Sequence, residues 1–184
     1  MARRLVLASR SPQRRAILEQ IGVELDVDVP DVEELSEGEP VEVATENAVR
    51  KAQAVDGDLV VAADTVVYLD GRIYGKPRDE HEAAAFLRDL SGREHEVVTA
   101  VAVREGSALE TLTAWTAVTF RDLDESLLRW YVDSGEWRDR AGGYAIQGKG
   151  AALVDWIEGD YLNVVGLPLA TLLKLKPDLP LRHG

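Results

Sequence analysis

Apolar runs and helical patterns alternate along this chain, and their order predicts its elements. Arg4–Ala8 reads as a strand. Ser11 followed by Pro12 starts a helix, with serine as cap and proline at the first helical position. That helix runs over Pro12–Ile21 and Gly22 ends it, and Glu24–Val29 is a second short strand. Asp31–Glu42 is acidic and poor in apolar residues, the mark of a loop. Pro40 suits the first turn of a helix reaching about Val55.

Leu59–Leu69 is a long β-rich run, and Asp70-Gly71 predicts a hairpin into RIYG. Asp79 caps a helix that Gly92 ends. The segments HEVVTAVAVR and LETLTAWTAVTF follow as strands, the second alternating with period two. Asp124–Asp133 is helical, with Leu127, Leu128 and Tyr131 at core spacing. A glycine-rich loop, RDRAGGYAIQGKGA, leads to the strand ALVDWIEG, and a last helix starts near Pro168. The mixture predicts an α/β (α+β mixed) domain with a mixed sheet, a single unit over residues 1–184.

Charges placed in apolar settings point to chemistry. On the first helix, Ile17, Leu18 and Ile21 define the buried stripe; Arg14 lies within about 15° of its mean direction and Arg15 more than about 100° away. An inward cation at a Ser-rich helix start fits either a phosphate or carboxylate ligand or a salt bridge to a buried acid. On the next helix, Lys51 shares a face with Ala44, Ala48 and Val55, with Asn47 beside it. Taken alone, that lysine reads as a stem packed on alanines. Asp64 interrupts LVVAADTVVYL. A carboxylate there costs several kcal/mol of solvation unless it is paired, metal-bound or bonded to backbone N–H groups, and a functional role is the favoured reading. Lys76-Pro77 adds another cation, and Gln147 lies among Gly142, Gly143, Gly148 and Gly150, where it could read a nucleobase edge.

Composition narrows these options. With 33 acidic against 21 basic residues the net charge is −12, which repels nucleic acid and anionic membranes. No apolar run approaches the roughly 20 residues of a membrane span, and MARRLVLASRSP reads as a first strand, not a signal peptide. There is no cysteine, and His81, His95 and His183 are dispersed. Any metal is therefore a hard cation, Mg²⁺ or Mn²⁺, held by carboxylates and water. One inward arginine, two lysines, a buried aspartate and the acids Glu33 and Glu34 suit a polyphosphate with a divalent metal. Without a serine–histidine or cysteine–histidine pair, direct attack by water is the remaining route.

The ordered blocks LASRSPQRR, PDVEE, ENAVRKA, AADTVV, GKPRD, LSGREHEVVTAV, GGYAIQGKGA and VVGLPL resemble the Maf family of nucleoside triphosphate pyrophosphatases over essentially the whole chain. The resemblance implies an elongated fold like that of the inosine triphosphate pyrophosphatases, with a cleft between two lobes, in a cytoplasmic homodimer. It implies release of a nucleoside monophosphate and pyrophosphate with a divalent metal. By position, Asp64 would be the catalytic acceptor and share the metal with Glu34, while Ser9, Arg14, Lys51 and Lys76 would hold phosphates. The YAIQG form resembles the branch acting on dTTP and UTP, including modified pyrimidines, with Gln13, Thr65 and Gln147 at its specificity positions. The resemblance leads one to expect arginine at position 13, where this chain has Gln13. The competing expectations are a preference for 7-methyl-GTP, and a nucleotide-binding regulator of septum formation without hydrolysis.

Overall fold

The computed structural model describes residues 4–179; the first residues of the predicted N-terminal segment, and His183, lie outside that range. Seven strands form one mixed sheet: β1 (Leu5–Leu7), β2 (Leu25–Val27), β3 (Leu59–Leu69), β4 (Arg72–Tyr74), β5 (Glu94–Glu105), β6 (Ala108–Phe120) and β7 (Val154–Gly159). Their order is β2-β1-β3-β5-β6-β7, with β4 paired to β3. The β1–β2 and β1–β3 pairs are parallel, and the remaining pairs are antiparallel. The predicted mixed α/β architecture is thus present.

Among the described residues six α-helices accompany the sheet: α1 (Pro12–Gln20), α2 (Pro40–Gln53), α3 (Glu80–Leu90), α4 (Glu125–Ser134), α5 (Tyr161–Val165) and α6 (Leu169–Leu175). The predicted start signals act as such. Side chains of Ser11 and Asp79 accept backbone N–H bonds at the starts of α1 and α3, and Asp124, read as the first residue of its helix, caps α4 in the same way. Most element boundaries agree with the sequence reading to within a residue or two, and three features differ from it. The second strand is only Leu25–Val27. The stretch before Val154 winds as a 3-10 helix over Gly148–Leu153. Helix α5 was not foreseen, because five residues are too few to show a helical period.

β3 and β5 are buried on both faces along most of their length, which explains their continuous apolar runs. On one face, α1 and α6 pack Ile17, Leu18 and Leu172 against Leu7, Val61 and Ala63. On the other, α2 lays Ala44, Ala48 and Ala52 against Val60, Ala62, Ala100 and Ala102. Small side chains on both surfaces allow that helix to approach the sheet closely. A further cluster joins α3, α4 and the glycine-rich segment through Phe86, Phe120, Tyr131 and Tyr144. Among the described residues no helix is long and apolar enough to cross a membrane.

Candidate active site

β3 carries the centre of the site. One of its edges is covered by β1 at Leu59–Val61 and by β4 at Val67–Leu69. Between those stretches that edge has no strand partner, and Asp64 and Thr65 lie in the gap. Successive strand residues face opposite sides of a sheet. Asp64 accordingly faces α2, and Thr65 faces α1. Both nevertheless line one cavity, since the cavity wraps around the open edge.

Asp64 is 6% exposed, and α2 supplies a donor to each of its carboxylate oxygens. Lys51 Nζ donates to Oδ1 at 2.6 Å and Asn47 Nδ2 to Oδ2 at 3.0 Å. The i, i+4 spacing of Asn47 and Lys51 places both on the face that meets β3. Lys51 Nζ also stands 3.1 Å from Glu34 Oε1. Its ammonium therefore lies between two carboxylates instead of reaching out to solvent. Burial pushes the Glu34 carboxyl up, but Lys51, Lys76 and Arg14 more than offset this and hold it below the usual carboxylate range. Glu34 belongs to the predicted loop, and Asn47 fastens that loop as well. The Leu35 N–H donates to Asn47 Oδ1 at 2.7 Å, and Asn47 Nδ2 donates to the Leu35 carbonyl at 3.0 Å.

On the other side of the edge, Arg14 spreads its fork over three neutral acceptors. These are the Gly166 carbonyl at 2.7 Å, Ser9 Oγ at 3.1 Å and Thr65 Oγ1 at 3.1 Å. The predicted alternative of a salt bridge to a buried acid is absent among the described residues. Burial lowers Arg14 from the usual guanidinium value, and Asp64 and Glu34 act against that. A guanidinium held only by neutral oxygens keeps its full positive field for a ligand.

Hydroxyl bookkeeping sharpens two roles. Ser9 Oγ accepts from both Arg14 and the Ser11 N–H, which leaves its O–H free to donate. Thr65 Oγ1 accepts from Arg14 and bonds Thr99 Oγ1 at 2.9 Å, while Thr99 donates to the Asn163 carbonyl. Thr65 is then the donor to Thr99, and toward a ligand it has one lone pair and a methyl group.

The far wall comes from Lys76, just past β4, and the glycine-rich segment. Gly142 has φ +69° and donates its N–H to the Gly75 carbonyl at 3.0 Å, and a Cβ there would sit 2.9 Å from Val67. Glycine is required for this close approach, which sets the segment beside exposed Lys76. Glu136 accepts the backbone N–H groups of Lys149 and Gly150, fixing the turn that carries exposed Gln147. Tyr144 lines the cavity and hydrogen-bonds buried His95 Nε2 at 2.8 Å.

Ser9, Gln13, Arg14, Glu34, Lys51, Asp64, Thr65, Lys76 and Gln147 all line this cavity of about 290 Å³, although they come from segments scattered along the chain. Glu33 does not line it, and its backbone carbonyl accepts Arg50 instead. The lining holds six basic and three acidic side chains, a reversal of the chain's overall balance that favours an anionic ligand. Arg140 and Tyr144 were not singled out in the sequence, and Asn47 was noted only as a neighbour of Lys51. For a metal, Glu34 and Asp64 converge on one cation, the Lys51 ammonium. No group of three or more Asp, Glu, His or Cys placed to hold a metal ion is present among the described residues. Two carboxylates fit Mg²⁺ or Mn²⁺ held jointly with substrate phosphates and water, not a cation caged by protein alone.

Fold and pocket together define a mixed α/β protein built around an anion-receiving site at a sheet edge. Residues 4–177 match the family model described as Maf-like protein, and the chain belongs to that family. It is 45% identical over 181 residues to a dTTP/UTP pyrophosphatase of Pyrococcus furiosus, covering 94% of each chain. It is 50% identical over 177 residues to one of Anaeromyxobacter dehalogenans, covering 92% of this chain and 91% of that one. A third, from Thermus thermophilus, is 48% identical over 174 residues, covering 93% and 92%.

Proposed function

We propose that this chain is a nucleoside triphosphate pyrophosphatase acting on dTTP and UTP. The observation that carries the reading is buried Asp64, held on both oxygens by α2 and set beside a pocket rich in cations. The relatives' printed activity supports the same substrate class.

In this reading water attacks the α-phosphorus, the α–β phosphoanhydride bond breaks, and nucleoside monophosphate and pyrophosphate leave. Each Asp64 oxygen has one fixed donor and a lone pair to spare, so the carboxylate can orient the water and accept its proton. Arg14, Lys51 and Lys76 lie around the phosphates and spread the charge that builds on the departing pyrophosphate. The free Ser9 O–H adds a donor to a phosphate oxygen. Glu34 and Asp64 are the residues to hold Mg²⁺ or Mn²⁺; when bound, such a cation supplies Lewis-acid stabilisation at phosphate oxygens. Gln13, Thr65 and Gln147 meet the base. The same reading takes residues 1–184 as one domain working as a cytoplasmic homodimer, without nucleic-acid or membrane partners.

The test is pyrophosphate release from a panel of triphosphates with Mg²⁺ or Mn²⁺. UTP and dTTP should exceed ATP, GTP, CTP and 7-methyl-GTP. A purine preference would overturn the substrate class, and tight nucleotide binding without release would leave a nucleotide-binding regulator.

A further inference from the structure

Arg140 stands at the head of the glycine-rich turn and lines the cavity. Its Nη1 donates to Gln13 Oε1 at 2.5 Å, across 127 positions of sequence. Among the described residues this is the guanidinium's one side-chain hydrogen bond, and its buried Nε–H meets no acceptor. A move of the side chain toward a ligand would therefore give up a single bond.

The clamp has a fixed polarity. Gln13 Oε1 takes donors from both Arg140 and Ser11 Oγ, so the carboxamide oxygen is spent and only the Nε2 donors remain. An arginine has no acceptor at all. The pair is thus donor-only, and its positive charge is left intact because its partner is neutral. Ala141, Tyr144 and Ile146 supply apolar lining next to Arg140, while Arg14, which feels the Arg140 charge, lines the same cavity with Lys51 and Lys76. A nucleobase suits the apolar lining and a triphosphate the cations.

Resting on the pyrophosphatase reading above, we propose that Arg140, tethered by Gln13, is a specificity-determining residue that donates to carbonyl oxygens of a uracil or thymine base. Both bases present carbonyl acceptors at positions 2 and 4. Cytosine presents an amino group at position 4, which would face a donor with a donor. A site committed to one hydrogen-bonding polarity rejects the opposite polarity because a buried group is left unpaired.

The experiment measures equilibrium binding of the α,β-methylene analogues of UTP and CTP, which need not be hydrolysed. The wild-type chain should favour the UTP analogue by about tenfold or more. Arg140→Met should bring the two affinities to within about threefold, by weakening the UTP analogue while the CTP analogue binds as well or better. Gln13→Leu, which keeps Arg140 but removes its tether, should shift the ratio the same way by a smaller factor. Its behaviour decides the matter if Arg140→Met proves unfolded by its thermal transition. Selectivity that survives in the folded variants overturns the proposal. So does equal weakening of both analogues, which would make Arg140 a phosphate contact. Pyrophosphate release from UTP is assayed in parallel on the wild-type chain. Selective binding without release would refute the hydrolase reading and leave the role of Arg140 standing.

Discussion

Lys51 and Asp64 are 8% and 6% exposed, and their 2.6 Å contact joins helix α2 to the central strand. Two buried opposite charges stabilise a fold only while both are present. Lys51→Met should therefore cost about 3–5 kcal/mol of stability, since it strands the Asp64 carboxylate with Asn47 as its remaining donor. Urea denaturation monitored by tryptophan fluorescence measures the loss. A midpoint unchanged from wild type would mean that Asp64 has another cationic partner.

Asp64→Asn keeps the shape of the side chain and removes the proton acceptor. Turnover should fall about 10²–10⁴-fold, the usual contribution of a positioned general base. The thermal midpoint should also fall, because the new amide group turns a donor toward either Lys51 or Asn47, so turnover is read at a temperature where the variant is folded. Near-wild-type pyrophosphate release would remove Asp64 from the chemistry.

Asn47 bonds Leu35 through both N–H and carbonyl and also bonds Asp64. Asn47→Ala should free the loop that carries Glu34, so the Mg²⁺ concentration for half-maximal activity should rise, roughly tenfold for one loosened carboxylate. Amide exchange at Leu35 should accelerate in the same variant. A purely structural effect would lower the unfolding midpoint and leave the metal dependence where it was.

Much of this arrangement can be read from residue order, and the reasons for the remainder are physical. The caps Ser11, Asp79 and Asp124 are local signals that bond within three residues, so the helix starts were legible. The inward direction of Arg14 followed from one helical turn of periodicity. Its partners did not, because Gly166 and Thr65 lie 152 and 51 residues away in sequence. For Lys51, the alanines around it suggested a stem lying on apolar surface with its ammonium in water. Only the tertiary approach of α2 to β3 shows that the ammonium ends between carboxylates and not in water. Arg140 carried no local sign at all, sitting in a segment whose glycines drew the attention.

Stability should also depend on pH through His95. Burial lowers its pKa from 6.5 to about 4, and its Nε2 pairs with Tyr144. Between those values the unfolded chain binds a proton that the folded chain refuses. The contribution is fully present above pH 6.5 and is lost as pH falls toward 4, amounting to roughly 3 kcal/mol. His95→Phe should flatten the slope of stability against pH in this window relative to wild type. Parallel slopes for the two proteins would show that carboxylates alone set the acid response.

The bond from Arg14 to the Gly166 carbonyl spans 152 residues, and it has a consequence in time. Contacts so distant in sequence form late, after shorter loops have closed. During synthesis, the first helix is made early but cannot fix its arginine until α5 and Gly166 have emerged. A chain that has not yet reached Gly166 therefore presents strands and helices whose pocket still lacks the acceptor that fixes Arg14.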